Sequence, residues 1–302
     1  LLRTSIGTGF RAPSLAELYI GPTLDFPFLI DTTRCNATGT LGCGDAQYDT
    51  LLEGNPDLDA EESQSFYLGG VYEPVTNFVI GLDYWRYEHT NNIDNNAQFI
   101  LDNEASFTGQ VTRDAGASTG PGDPGPIVSI DADFFNVAEQ ETDGIDLSLK
   151  YNWHTASAGT FSIQEVLSRL LSFDRKTSAD QPFEDLAGTY RFPELKSTTG
   201  FSWALNKFGA SLTANYLGSY EDSLFGRTNP STGNIDTHKV DSLLTFDAQF
   251  IYRVIKSGTL TVGINNVTDE EPPFANGEFE GYDVATHNPI GRFFYVRYKH
   301  EL

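Results

Sequence analysis

The strongest constraint in this sequence is an alternation of apolar and polar side chains with a period of two. Such a period puts every second side chain on one face of an extended strand. In SQSFYLGGVY, Phe66, Leu68, Gly70 and Tyr72 share one face, while Ser65, Tyr67 and Gly69 take the other. In NFVIGLDYWRY, Phe78, Ile80, Leu82 and Tyr84 oppose Gly81 and Asp83. DGIDLSLKYNW sets Ile145, Leu147, Leu149, Tyr151 and Trp153 against Gly144, Asp146, Ser148, Lys150 and Asn152. The pattern returns around Phe201, Phe208, Leu244 and Leu260, and again from Phe294 to Leu302. With the opening LLRTSIGTGF, these runs amount to about ten strands.

The connections between runs alternate in length. EPVTN, HTASAG and the turns near Asn206 and Lys256 are short. The stretches 12–60, 90–136, 174–194, 218–240 and 268–290 are long and carry Pro, Gly, Asp and Asn, as in STGPGDPGP. A soluble β-sandwich has no reason to gather every long loop at one end, whereas an outer-membrane barrel does so. The 22 Phe, 14 Tyr and 28 Gly suit either fold. No run approaches the ~20 apolar residues of a membrane helix, and a membrane strand needs only about 9–11 alternating residues. The expected fold class is therefore all-β, an antiparallel transmembrane β-barrel, with a soluble sandwich of an adhesin as the alternative.

One run departs from the pattern. FSIQEVLSRLLSF spaces Ile163, Val166, Leu167, Leu170 and Leu171 as an amphipathic helix would. Its neighbours are strands joined by short turns, so it is read as a strand with a bulge. Pro13 cannot donate to a ladder and is expected to end the first strand, with a short helix starting after it.

The chain has 302 residues, contains no Met and opens on Leu1 within an alternating run, so it is expected to be a processed chain or a fragment. Its 42 acidic and 19 basic residues give a net charge of −23, which disfavours nucleic acid as a partner. The two cysteines, Cys35 and Cys43, sit in the Gly- and Thr-rich RCNATGTLGCG, where a short disulfide in an oxidising compartment is expected.

GTGFRAPSLAELY, GNPDLDAEESQSFYLGG, NVAEQETDGIDLSL, GINNVTDEEPPF and GRFFYVRYKHEL occur in that order. They resemble segments of the TonB-dependent outer-membrane receptors, over nearly the whole chain. Asp59-Ala60, Tyr67, Asp146 and the terminal Leu302 depart from the usual residues of that family. The resemblance implies a barrel of about 22 strands around an N-terminal plug. About ten C-terminal strands would lie here, with the plug and the other strands outside this chain. It also implies TonB-coupled uptake of a scarce nutrient across a bacterial outer membrane, whether siderophore-iron, cobalamin, saccharide or peptide. The implied partners are the TonB complex, the remaining barrel strands, outer-membrane lipid and a small nutrient ligand. A passive porin-like barrel is the alternative within the membrane class. No Ser/His/Asp catalytic set can be located, and the chain is not expected to be an enzyme.

Candidate ligand contacts are Asp83, Trp85 and Tyr87, which share the interior parity of one strand, and Arg11. The favoured reading of Trp85 and Tyr87 is nonetheless interior lining or packing against the plug, and that of Arg11 a structural partner of neighbouring carboxylates or loop carbonyls. Tyr84, Trp153, Trp203 and Tyr298 are expected in the aromatic girdles at the bilayer boundaries. No resident cofactor or metal is expected. The scattered histidines, His287 among them, show no metal spacing. Loop carboxylates such as Asp123, Asp131, Asp133, Glu278, Glu280 and Asp283 are candidates for calcium but match no calcium-loop spacing.

Overall fold

The computed structural model describes residues 1–176, 182–228, 235–255, 258–275 and 281–300. Ten antiparallel strands form one continuous sheet: β1 (Leu2–Arg11), β2 (Glu61–Val75), β3 (Phe78–Asp94), β4 (Phe135–Thr155), β5 (Gly159–Lys176), β6 (Leu195–Leu205), β7 (Phe208–Leu217), β8 (Leu243–Ile255), β9 (Gly258–Asn265) and β10 (Phe293–His300). Each pairs with its neighbour in sequence, and β1 and β10 stand at the two edges. This is the meander expected of a barrel wall. The short connections are tight: Asn77 and Asn206 take positive φ (67° and 52°), a conformation Asn tolerates better than most residues.

Register carries the alternation from strand to strand. Tyr151 pairs with Phe78 and Ile163, Ile163 with Phe201, and Phe201 with Leu212. One face is thus a nearly unbroken apolar surface. Near the short-turn end it carries stacked aromatics, with Trp153 5.3 Å from Tyr151 and 5.2 Å from Phe161. Trp203 and Tyr298 belong to the same face and end, and the Trp203 indole donates to the carbonyl of Ala158 at 2.7 Å. Tyr84 lies on this face toward the long-loop end and donates to Asp143 at 3.0 Å.

FSIQEVLSRLLSF is a strand inside β5, and its ladder with β4 slips between Asp143 and Gly144, whose partners are Ser172 and Leu170. Leu171 is the extra residue of the bulge. The apolar set that reads as one helical stripe is split: Ile163 and Leu167 join the apolar face, while Val166 and Leu170 take the opposite one.

The same split places Glu165 on the apolar face, midway between Phe161 and Arg169, level with Leu149 and Thr199. Ser197 donates to one carboxylate oxygen at 2.5 Å and Thr199 to the other. The two hydroxyls offset part of the cost of a charge among apolar neighbours.

Two long loops fold into a packed cap, which the polarity of their sequence did not announce. The first (12–60) and second (95–134) contribute helices α1 (Leu15–Tyr19), α2 (Thr32–Thr38) and α3 (Ala97–Asp102). They also share a four-stranded sheet of Thr23–Asp25, Thr50–Leu52, Ile127–Asp131 and Val111–Arg113. Ile100, Leu101 and Ile130 form its buried core, with Phe99 stacked on Phe135 and Phe107 edge-on to both beside it. Arg113 forks between Asp31 and Glu104 at 2.8 Å, and Arg34 meets Asp123 at 2.9 Å. Cys35 and Cys43 are disulfide-bonded, and the loop they close sets the carbonyl of Gly42 against the amide of Asp31 at 3.1 Å. Pro13 lies just past the end of β1, and Ser14 caps α1 in a capping box with Glu17.

Glu165→Leu is expected to raise the unfolding free energy of the complete protein in lipid vesicles by about 1–3 kcal/mol, since it replaces a carboxylate on the apolar face. Thr199→Val, which leaves that carboxylate short of a donor, is expected to lower it; urea titration of both variants checks the pair of signs.

Candidate functional site

The face opposite the apolar surface is polar and is built over glycines. Asp83 of β3 lies across Gly69 of β2, where an added Cβ would come within 1.7 Å of its Oδ1. Arg3 holds Asp83 through Nε and Nη2 at 3.2 and 2.7 Å, and its guanidinium also stacks 5.2 Å from the Tyr67 ring. Asp83 is thus the centre of a wall ion pair. Trp85 lies in the same way over Gly144 of β4, whose added Cβ would come within 2.4 Å of the indole, and its ring centroid is 5.8 Å from that of Tyr87. Trp85 and Tyr87 share the polar face with Asp83, in keeping with their parity.

Arg11 is elsewhere, at the base of the first loop. Its Nε and Nη2 reach Glu61 at 2.5 and 2.7 Å, and Nη1 reaches Glu17 at 3.0 Å. Glu61 also accepts from the amide of Ile93 at 2.9 Å, which ties this base to β3. Two asparagines complete the brace: Asn55 donates to the carbonyl of Phe134 at 2.9 Å, and Asn136 donates to those of Asp59 and Asn91 at 3.1 and 2.7 Å. The segments GNPDL and NVAEQ therefore pin the descending limbs of the first two loops to each other. GINNVTDEEPPF does the same for the last loop: Asn266 bonds both amide and carbonyl of Glu270, and Asp269 accepts from the amide of Arg292 at 2.7 Å.

Two cavities open on the polar face toward the long-loop end. The smaller, about 280 Å³, is lined by Trp85, Phe173, Phe192, Arg191, Lys196 and Glu194, with Phe173 and Phe192 stacked at 4.1 Å and Glu194 accepting from Arg169 at 3.4 Å. The larger, about 660 Å³, lies between β6–β8 and the last loop and is lined by Lys196, Thr198, Asn215, Thr245, Asp247 and His287. Lys196 borders both. The sequence patterning singled out Trp85 but missed Lys196, Phe173 and Phe192. The parity of β6 was available to find Lys196, whereas Phe192 belongs to the third loop (177–194) and carries no periodic signal.

The third, fourth (218–242) and fifth (266–292) loops form a second group. The amide of Glu221 donates to the carbonyl of Gly188 at 2.8 Å, and Tyr220, Val240 and Ala275 form a small buried core with Tyr190 packed against it. Of the loop carboxylates, Asp123 is held by Arg34, Thr119 and the amide of Gly125, and Asp283 is buried; Glu278 and Glu280 lie outside the described residues. Among the described residues no group of three or more His, Cys, Asp or Glu side chains is arranged to hold a metal ion.

Residues 1–267 match the family described as TonB dependent receptor-like, beta-barrel. The chain belongs to the TonB-dependent receptor β-barrel family. It is 23% identical over 234 residues to a probable TonB-dependent siderophore receptor, PiuA, of Acinetobacter baumannii, a match covering 76% of this chain and 26% of that protein. Among solved structures it resembles the ferric enterobactin receptor PfeA of Pseudomonas aeruginosa in complex with enterobactin (TM-score 0.62, 18% identity, 99% of this chain and 38% of that one). It also resembles the siderophore receptor PirA of Acinetobacter baumannii (TM-score 0.63, 14% identity, 99% and 38%). The chain thus spans little more than a third of the receptors whose fold it shares.

The brace at Arg11 has a pH signature. Hydrogen bonds from Arg11 and from the amide of Ser14 hold the Glu17 carboxyl down to about 2, below its ordinary 4.5. Its contribution to the first loop is fully present above pH ~4.5 and is lost as pH falls toward ~2. The protection factors of amides 14–20 are expected to fall over that window in the wild type, and Glu17→Gln is expected to show the lower protection already at pH 7.

Proposed function

We propose that this chain is the C-terminal part of the barrel wall of a bacterial outer-membrane receptor that takes up a ferric siderophore, with energy relayed by TonB. In this reading the short turns face the periplasm and the long loops the cell exterior. Strands outside these 302 residues close the barrel around a plug. No covalent chemistry is involved: cargo enters between the loops, is held on the interior face and passes when the plug rearranges.

The observation that carries the reading is the cavity where Trp85, Phe173 and Phe192 meet Lys196, open to the interior beneath the third loop. Aromatic walls with an ammonium at the rim suit a flat, anionic cargo, through ring stacking and a charge-assisted hydrogen bond. A ferric complex of aromatic chelating groups has that chemistry. The names of the relatives point the same way, and the loop braces at Asn55 and Asn136 give such a cargo a fixed rim.

Binding of a ferric catecholate to the full-length receptor, read by tryptophan quenching, tests the assignment. Lys196→Gln is expected to weaken it by roughly 10-fold and Trp85→Ala by a few-fold, from the ordinary worth of a charged hydrogen bond and an aromatic contact. Unchanged affinity in both variants would remove this cavity from the cargo's path.

A further inference from the structure

One buried imidazole joins the fourth and fifth loops beside the larger cavity. His287 is 6% exposed, and its neighbours Tyr220 and Asp283 are 2% and 0% exposed. The Tyr220 hydroxyl lies 3.2 Å from His287 Nε2 and 3.3 Å from Asp283 Oδ2, with the Thr286 hydroxyl 3.4 Å away. Asp283 Oδ1 accepts from the amide of Ala285 at 2.9 Å, and its carbonyl accepts from the amides of Thr286 and His287 at 3.3 and 3.0 Å. Tyr220 belongs to the fourth loop and the other groups to the fifth, so these contacts bridge the two.

His287 Nδ1 is buried and, among the described residues, has no hydrogen-bond partner. The contacts fix a consistent proton arrangement. Tyr220 donates to Asp283, His287 Nε2–H donates to the Tyr220 oxygen, and Nδ1 keeps a bare lone pair. A bare lone pair on a neutral ring is a small cost. A proton added there makes a buried N–H donor with no acceptor and a buried charge as well. The titratable groups acting on the ring are Tyr220 from the fourth loop and Asp283 from the fifth; Asp222 acts on Tyr220, Tyr190 of the third loop packs on the same core, and Lys196 lies across the cavity. Burial pushes the Tyr220 hydroxyl up to about 12 and outweighs Asp283 to hold His287 below its ordinary 6.5.

We infer that Tyr220 and His287 form a proton-sensitive latch that holds the fifth loop against the fourth over the larger interior cavity, closed while His287 is neutral and released when it takes up a proton. His287 is a positioning residue here, since it fixes the loop that borders the cavity. That the latch retains cargo rests on the uptake reading above; that it opens with acid does not. Above pH ~6.5 both latched and open forms are neutral and the latch is at full strength. Below that value the open form is protonated first, so closure weakens by up to about tenfold per pH unit.

The test is hydrogen–deuterium exchange on the full-length receptor in detergent, with no ligand, between pH 5 and 8. Protection factors are read at Ala285, Thr286 and His287, with Val262 and Ile264 of β9 as the internal reference. Wild-type protection at the three loop amides is expected to be constant above pH ~7 and to fall by up to about tenfold per unit below pH ~6.5, while β9 stays unchanged. His287→Gln, which keeps a donor to Tyr220 but cannot titrate, is expected to hold its protection through the acid range. Tyr220→Phe is expected to lose protection at pH 7.5 and to show a shallower profile, and it decides the matter if His287→Gln does not fold. A flat wild-type profile overturns the latch. So does a His287→Gln profile that falls with acid as the wild type does. Cargo binding measured at pH 7.5 and 5.5 then reports separately on the uptake reading, because the exchange result stands whether or not a ferric siderophore binds.

Discussion

Hydrocarbon offers a backbone amide no partner, so a chain that crosses a bilayer as strands must satisfy its N–H and C=O groups from neighbouring strands. That demand organises the whole wall. Each strand pairs with the next in sequence, turns at one end shrink to two or three residues wherever they are described, and the freedom this denies is spent in the loops at the other end. The side chains follow from the pairing. Once Tyr151 lies beside Phe78 and Ile163, the pleat alone decides that Asp83, Trp85 and Asp146 share the opposite, polar face.

Interior crowding is handled by glycine. Asp83, Trp85 and Tyr295 each lie flat across a glycine of an adjacent strand, at Gly69, Gly144 and Gly263. Large polar and aromatic side chains thereby line the wall without projecting far from it, and the space above them stays open. The same sheet tolerates Glu165 on its other face because β6 sets two hydroxyls beside it.

Much of this was legible in the sequence, for a physical reason: period-two patterning is set by burial, and burial in a membrane wall is uniform along a strand. The ten strands, the helix after Pro13, the disulfide and the bulge near Leu171 followed from it or from local turn chemistry. The loop cap did not. Ile100 and Ile130 come from segments with no shared period, and only their meeting makes a core. The position of Glu165 was hidden because Val166 and Leu170, apolar residues on the polar face, made its strand read as a helical stripe. His287 looked like one of several scattered histidines because no local spacing marks it. Its setting depends on Tyr220, 67 residues away.

The two loop groups are fastened by different chemistry. The first cap is held by a disulfide, an apolar core and guanidinium–carboxylate forks, none of which responds to a mild change of acidity near neutrality. The second group meets through hydroxyl, imidazole and a few small apolar residues. The two groups of long loops are thus an anvil and a jaw: the first is stapled covalently and by ion pairs, while the contacts that join the second include an imidazole.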